Sequence, residues 1–271
     1  MERTILYGVS VLFLATLLAA PSVAQLGPLG PMNNGGWIPP DVTKKRCEAW
    51  AVTNAARLMK CIAGCRKAAA TALLSNKTFD ETACVEGPTP KQTSCLENYN
   101  KGNSRTTILN ICATTTCIDD TSVHASVEAM AAAVLPATYC SGGTAFGANP
   151  RFGGSTPPDE ATKNCENRAL TNAAALMTCI ASCRDSAASS LVKNLAFDEK
   201  TCVEGPTPKE TSCFEKYDKA SSKLATKASC ATANQCLDAA GIRATVDSSV
   251  APVLSGAYCN GVCGTDGLRY C

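Results

Sequence analysis

Histidine is almost absent from this sequence, and neither sign of charge predominates. The 271 residues include one histidine, His124, and carry a formal net charge of +2 at pH 7. Arg243 replaces His124 in the second half of the chain, so the two halves cannot share a Ser-His or Cys-His catalytic pair. The weak net charge predicts neither a nucleic-acid partner nor a site for another polyanion. We expect His124 to lie at the surface of an alanine-rich helix.

Motifs of cofactor and metal chemistry are also missing. The chain contains no phosphate-binding loop, dinucleotide fingerprint, EF-hand or metalloprotease helix, and no Cys-x-x-Cys knuckle for zinc. The adjacent acids Asp80 and Glu81, which recur as Asp198 and Glu199, are more typical of a solvated helix start than of an acid-base pair. We therefore predict that the protein is not an enzyme and uses neither a cofactor nor a metal.

A long apolar run occurs in one place, near the N-terminus. The 16 residues "ILYGVSVLFLATLLAA" lie within residues 1–24, and "SVA" follows them before Gln25. This pattern is typical of a cleaved secretory signal peptide. The run is shorter than the roughly 20 residues that a membrane-spanning helix needs. We therefore predict a secreted, extracellular protein without a membrane span.

Cysteine, by contrast, is abundant. The chain contains 18 cysteines, and an even number in a secreted chain is typical of disulfide bonds. All but Cys263 and Cys271 fall into two sets that match at a spacing of about 118 positions. We expect the bridges to form within each repeat and the last two cysteines to pair in the tail. The first set is Cys47, Cys61, Cys65, Cys84, Cys95, Cys112, Cys117 and Cys140, and the second is Cys165, Cys179, Cys183, Cys202, Cys213, Cys230, Cys236 and Cys259.

This internal repeat predicts the domain boundaries. A Gly/Pro-containing stretch precedes each repeat, as "GGWIPPD" and as "GGSTPPD", and such stretches are typical of flexible or polyproline-like linkers. We predict that the two repeats fold independently. The boundaries are signal peptide 1–24, Gly/Pro-rich arm 25–40, repeat 1 at 41–140, linker 141–158, repeat 2 at 159–259 and a cysteine-containing tail 260–271.

One long helix is predicted at the start of each repeat. In repeat 1, Asp41 is a natural N-cap, and residues 42–74 are rich in helix formers without a proline. Cys47, Cys61 and Cys65 would lie along one face, the first two about 21 Å apart. That separation exceeds the reach of a disulfide, and cysteines one turn apart are also poorly placed to join. We expect each of the three to bond a cysteine outside the helix.

The best-preserved stretch of the repeat is "CVEGPTPKQTSC", residues 84–95, which returns as "CVEGPTPKETSC", residues 202–213. Thr89 and Thr207 each precede a proline and have Gln or Glu three residues later, which is the pattern of a capping box. We predict a structural turn that starts a helix here, with a binding loop as the alternative.

Two further helices are predicted at residues 106–120 and 122–140, and equivalent helices are predicted in repeat 2. The expected fold class is therefore all-α, with two tandem disulfide-stapled helical domains of about four helices each joined by a Gly/Pro-rich linker. The last helix of each repeat keeps its apolar positions while most other positions differ. We expect any difference in partner between the domains to lie on that helix.

Three asparagines are candidate site residues. Asn54 and Asn172 lie on the cysteine-bearing face of the two long helices, where an amide either faces a ligand or is buried and satisfied by protein groups. Asn76, in "NKT", matches the glycosylation acceptor pattern.

Three functions fit these features. The first is a secreted, non-enzymatic tandem-repeat binding protein, in which each domain presents a cavity or a face to an apolar small ligand or an extracellular protein. The alternative is a structural constituent of an extracellular matrix, shell, egg coat or secretion, and a secreted toxin or signal is a third. An apolar cavity would favour the binding function, whereas a solid core together with insoluble deposition would favour the structural role.

Overall fold

Helices account for most of the chain that the computed structural model describes, namely residues 39–88, 90, 93–113, 118–146 and 151–259. Within these ranges an isolated β-bridge joins Ala145 and Ser155, outside any strand. The predicted signal peptide, most of the arm, Thr89, Cys117 and the Cys263–Cys271 pair lie outside the described residues. The all-α class is confirmed for the described chain.

Repeat 1 contributes five helices to the described chain. The first, α1, spans Val42–Leu74 as predicted, and the carboxylate of its N-cap Asp41 accepts a hydrogen bond from the Lys44 N–H at 2.9 Å. The capping acid satisfies one of the amides that a helix start leaves without a partner. The others are α2 (Glu81–Val85), α3 (Cys95–Asn103), α4 (Thr106–Cys112) and α5 (Asp120–Thr138).

Repeat 2 follows the same order with one replacement. Asp159 caps its long helix as Asp41 caps α1. Two 3₁₀ turns, Ala228–Cys230 and Ala233–Gln235, follow its third helix, where repeat 1 has α4. The helices are α6 (Glu160–Leu191), α7 (Glu199–Glu204), α8 (Cys213–Ala225) and α9 (Ala239–Ala257).

Three disulfides in each repeat follow the same pattern. Each cysteine of α1, and each equivalent cysteine of α6, bonds a cysteine outside its own helix, as the helical spacing predicted. The long helix is thereby covalently attached to the three segments that follow it. The pairs are Cys47–Cys112, Cys61–Cys95 and Cys65–Cys84 in repeat 1, and Cys165–Cys230, Cys179–Cys213 and Cys183–Cys202 in repeat 2.

A further disulfide joins the two repeats. Cys140, just after α5, bonds Cys236, which follows the second 3₁₀ turn of repeat 2. The expectation that bridges form within each repeat is therefore wrong for this pair. Spacing along the chain cannot show which end of a helix approaches the other repeat, and eight cysteines admit many pairings.

The two repeats share one hydrophobic core. α1 packs on α6 and α5 packs on α9, and the cross contacts α1–α9 and α5–α6 are equivalent in the repeat. Buried side chains of both repeats, among them Val127, Val134, Val246 and Val253, belong to one cluster. The described residues of both repeats also form one compact unit. The structure therefore does not confirm two separate domains, because the apolar face of each repeat is covered by the other.

The described part of the predicted linker 141–158 packs on this core. Phe146 and Phe152 are buried, and the Phe146 N–H donates to the Gly154 carbonyl at 3.0 Å. The Ser155 N–H donates to the Tyr139 carbonyl at 2.7 Å. Two buried aromatic side chains and these backbone hydrogen bonds are not the features of a flexible spacer, so the linker is not confirmed.

The capping boxes lie five residues later than predicted. Ser94 caps α3, with its hydroxyl accepting from the Glu97 N–H and the Glu97 carboxylate accepting from the Ser94 N–H at 2.8 Å. Ser212 and Glu215 do the same for α8. Thr207 lies in the preceding turn, where its hydroxyl donates to Glu215 at 2.7 Å. The stretch is thus a structural turn, but its threonine is not the N-cap.

Replacing Ser212 by Ala should lower the free energy of unfolding by about 1 kcal/mol, because the α8 N-terminus loses its side-chain acceptor. Ser186→Ala, at an exposed position within α6, should change it by less than about 0.5 kcal/mol. Guanidinium unfolding followed by circular dichroism, with disulfides intact, measures both. Equal losses in the two variants would contradict the assignment of Ser212 as the cap.

Candidate functional site

Each repeat buries an arginine against a glutamate. The Arg66 Nε lies 2.9 Å from Glu81 Oε1, and the Arg184 Nη1 lies 3.2 Å from Glu199 Oε2. All four side chains are buried, so the expectation of a solvated Glu81 is wrong, although Asp80 does cap α2. Burial raises the pKa of Glu81 and lowers that of Arg66 despite their mutual attraction. The pair is an internal structural element, away from solvent.

A second pair of buried acids connects the repeats. Glu166 Oε1, on α6, accepts hydrogen bonds from the N–H groups of Cys140 and Ser141, each at 3.0 Å. Glu48 Oε1, on α1, accepts from the Cys259 N–H at 3.3 Å. Each acid therefore binds the backbone that follows the last helix of the other repeat. Sequence reasoning missed both acids, although their recurrence at equivalent helix positions was a readable signal.

These buried groups offer no reactive centre. The Cys61, Cys65 and Cys95 sulfurs lie close together, as do their counterparts in repeat 2. Every one of these sulfurs is in a disulfide, so none is a thiolate that could bind a metal. The buried carboxylates already hold backbone amides or arginines. A candidate binding site therefore has to be sought at the surface of the protein.

Asn54 is one of the two amides predicted as candidates. It is buried in the contact between α1 and α3, where its Nδ2 donates to the Tyr99 carbonyl at 2.9 Å and to Asn103 Oδ1 at 2.6 Å. Its polar group is satisfied within the protein. Gly102 makes this possible, because a Cβ there would lie 2.8 Å from the Asn54 Oδ1. Asn54 is a packing residue rather than a ligand-facing one.

Asn172 is placed differently from Asn54. Ala220 stands where repeat 1 has Gly102, and its Cβ takes the space that the amide of Asn54 uses. Asn172 is only half-buried, and it lines a groove of about 550 Å³ between α6 and α8. Of the two candidate amides, the structure brings this one to the surface.

The side chains around Asn172 are strongly basic. We call this surface the basic groove; it is lined by Arg168, Thr171, Asn172, Lys216, Lys219, Ala220, Lys223, Leu224 and Lys227. Its arginine and lysines are exposed, while Leu224 is buried in a small cluster with Cys165, Ala169, Cys230 and Ala233. The cations therefore surround a buried cluster that the disulfide Cys165–Cys230 cross-links.

Acids near the basic groove are already engaged. Glu160 pairs with Lys163 at 2.7 Å, and Asp218 pairs with Arg243. Glu215 is held by Thr207 and Ser212, whose hydrogen bonds lower its pKa to about 2. Among the described residues only Lys219 of the groove forms an ion pair, with Glu210 at 3.4 Å. The positive charge of the groove is therefore largely uncompensated by neighbouring carboxylates.

The basic groove continues into an adjoining one of about 730 Å³ with which it shares Arg168, Thr171 and Lys227. At this junction the Lys67 Nζ, from α1, donates to the Thr171 Oγ1 at 2.6 Å. Partial burial lowers the pKa of Lys67. A cation from repeat 1 therefore reaches the edge of a surface that repeat 2 builds.

Other predicted positions lie apart from this surface. His124 is half-buried, and its Nε2 lies 2.9 Å from Glu128 Oε1, one helical turn later on α5. Asn76 is exposed just after α1, with a φ of 52°. The helices α5 and α9 pack mainly on each other, which leaves little of their apolar face for a partner.

Comparison of the chain with protein-family models, with curated proteins and with solved structures found no match. In the described part of the chain, every helix is too short or too polar to cross a membrane.

Proposed function

We propose that this protein is a secreted, non-enzymatic binding protein that presents an outer face, rather than an internal cavity, to an extracellular partner. The observation that carries the proposal is the basic groove. It brings together Asn172, an amide without a hydrogen-bond partner among the described residues, and several cations that form no ion pair among those residues. Polar groups that converge in this way while unpaired are typical of a binding surface.

An apolar small ligand is the less favoured partner. Apolar side chains of both repeats, such as Leu135, Ile180 and Leu254, pack together in the core that the two repeats share. Each repeat therefore uses its apolar face to bind the other. This packing supports recognition at the outer surface, where the side chains are polar.

A structural role in an extracellular matrix, shell, egg coat or secretion is the second candidate. The bridge Cys140–Cys236 and the repeated disulfide pattern favour it, because they tie both repeats into one cross-linked unit. Cross-links of this kind typically contribute a few kcal/mol each to stability. Recovery of most of the native protein from insoluble deposited material would favour this role over binding in solution.

An array of extracellular glycans and matrix proteins, probed with the full-length secreted protein, tests the binding function. Ala220→Trp should abolish binding to whichever arrayed molecule the wild type recognises, because the indole fills the basic groove. Ala225→Trp, on another flank of α8, is the matched control and should bind as the wild type does. Equal binding by both variants would contradict the groove as the binding surface.

A further inference from the structure

The cations of the basic groove form a line rather than a cluster. Lys216, Lys219, Lys223 and Lys227 follow one side of α8 and the residues after it, at helical spacing. At 1.5 Å per residue this line is about 17 Å long. Arg168 faces it from α6. A line of that length fits several charges of an extended polyanion better than it fits a single phosphate.

A solvated helix face is the simpler explanation, and it does not account for the whole pattern. Lysine in the last turn favours the negative end of the helix dipole, which explains Lys223. It does not explain Lys216 near the start of α8 or Arg168 on another helix. Solvated faces usually intersperse both signs of charge, whereas the lining of the basic groove contains cations and no acid among the described residues.

Repeat 1 shows that the fold does not require all of these cations. At the positions equivalent to Arg168, Lys216 and Lys227 it has Trp50, Asn98 and Leu109, whereas Lys101 and Arg105 match Lys219 and Lys223. The long helix and the helix that contains Asn98 or Lys216 form in both repeats, and equivalent disulfides join them, although 3₁₀ turns replace α4 after Lys227. Three of the five cations of the basic groove are therefore peculiar to repeat 2, and repeat 1 folds without them.

We propose that the basic groove binds an extended sulfated polysaccharide. The proposal rests on the proposed function and names its partner class. Sulfate groups along a chain match the line of lysines, while the amide of Asn172 and the hydroxyl of Thr171 can bond to sugar hydroxyls between them. The disulfides favour an oxidising, extracellular setting, where sulfated polysaccharides rather than nucleic acids are the common polyanions.

Binding to heparin oligosaccharide by the full-length protein, measured by titration calorimetry at 0.15 M salt, tests the proposal. The groove variant carries Lys216→Gln, Lys219→Gln, Lys223→Gln and Lys227→Gln. Its matched control carries Lys60→Gln, Lys77→Gln, Lys193→Gln and Lys200→Gln, which are exposed lysines elsewhere. Each exposed ion pair with heparin contributes about a twofold factor to the affinity, so the groove variant should bind heparin about tenfold more weakly or worse. The control variant should bind heparin as tightly as the wild type does.

Salt and competing polyanions supply the second measurement. Wild-type affinity for heparin should fall as salt rises, because exposed charges are screened over about 8 Å at physiological ionic strength. An oligothymidylate of equal charge and phosphatidylserine vesicles should bind more weakly than heparin. Absence of heparin binding, equal weakening in both variants, or tighter binding of either competitor would overturn the proposal. If heparin fails while Ala220→Trp still abolishes binding to another arrayed molecule, the polysaccharide is wrong and the binding function stands.

Discussion

Arg66→Met should lower the free energy of unfolding by about 4 kcal/mol, because it leaves the Glu81 carboxylate buried without its partner. The guanidinium of Arg66 also donates to the Gly153 carbonyl at 2.9 Å and lies 3.8 Å from the Phe146 ring centre. The variant therefore also loses the contacts that attach residues 141–146 and 151–158 to α1. Chemical unfolding with intact disulfides measures the loss, and faster tryptic cleavage after Arg151 reports release of this segment.

The matched variants separate charge from packing. Arg66→Met/Glu81→Leu removes both charges and should recover most of the loss, because two apolar side chains can replace a buried ion pair. Arg46→Met, at an exposed position of α1, should change stability by less than about 0.5 kcal/mol. In Arg66→Met the pKa of Glu81 rises further, so the deficit should be smaller at pH 5 than at pH 8. A deficit independent of pH, with no recovery in the double variant, would contradict this account.

The long helices could be predicted because local signals agree over many residues. A capping aspartate, a run without proline and cysteines at helical spacing all indicate the same element, and α1 begins and ends where they predict. The same spacing also excludes bridges within the helix. Such predictions need only the geometry of one segment.

The turn before α3 and α8 shows where local signals compete. Both Thr207 and Ser212 have an acid three residues later, so either could have been the N-cap. The choice is visible in the backbone, since Glu210 has a φ of 49° and so cannot belong to a helix. One carboxylate, from Glu215, then holds both the turn and the cap. Sequence pattern alone does not rank two such boxes.

The shared core could not be predicted from the pattern of apolar residues. That pattern shows which face of α5 or α9 is buried but not what covers it. The prediction of independent domains assumed that each repeat covers its own apolar face. Arg66 and Arg184 were missed for a related reason, since a charged residue within an alanine-rich helix gives no sign of burial until its partner is known.

Part of the basic groove could be predicted from the sequence. Lysines at 216, 219, 223 and 227 follow a helical period, but net charge over the whole chain conceals a local excess. Arg168 is far from them in sequence, and only the packing of α6 against α8 brings it to the same groove. The signal that could have been used was the contrast between the repeats at Arg168, Lys216 and Lys227, where repeat 1 has no cation.

Two buried acids, Glu48 and Glu166, join the repeats in the interior of the molecule, whereas the basic groove lies at its surface. Glu166 joins the repeats by accepting three hydrogen bonds from Cys140 and Ser141. Two of them come from backbone N–H groups. Burial is the main cause that raises its pKa above 4.5, and hydrogen bonds from these donors oppose it. A carboxyl with a raised pKa in the folded state favours folding when protonated, so its contribution is lost as pH rises through that pKa.

Glu166→Ala should therefore lower the free energy of unfolding by about 3 kcal/mol at pH 7, because it leaves buried N–H groups without an acceptor. Glu166→Gln retains an oxygen for the same N–H groups and removes the cost of a buried charge. It should match or exceed the wild type at pH 8 and show a weaker fall in stability between pH 5 and pH 8. Guanidinium unfolding of the three proteins across that range, with disulfides intact, gives both quantities. A Gln variant as unstable as the Ala variant would show that the negative charge of Glu166, rather than its hydrogen-bond acceptor, joins the repeats.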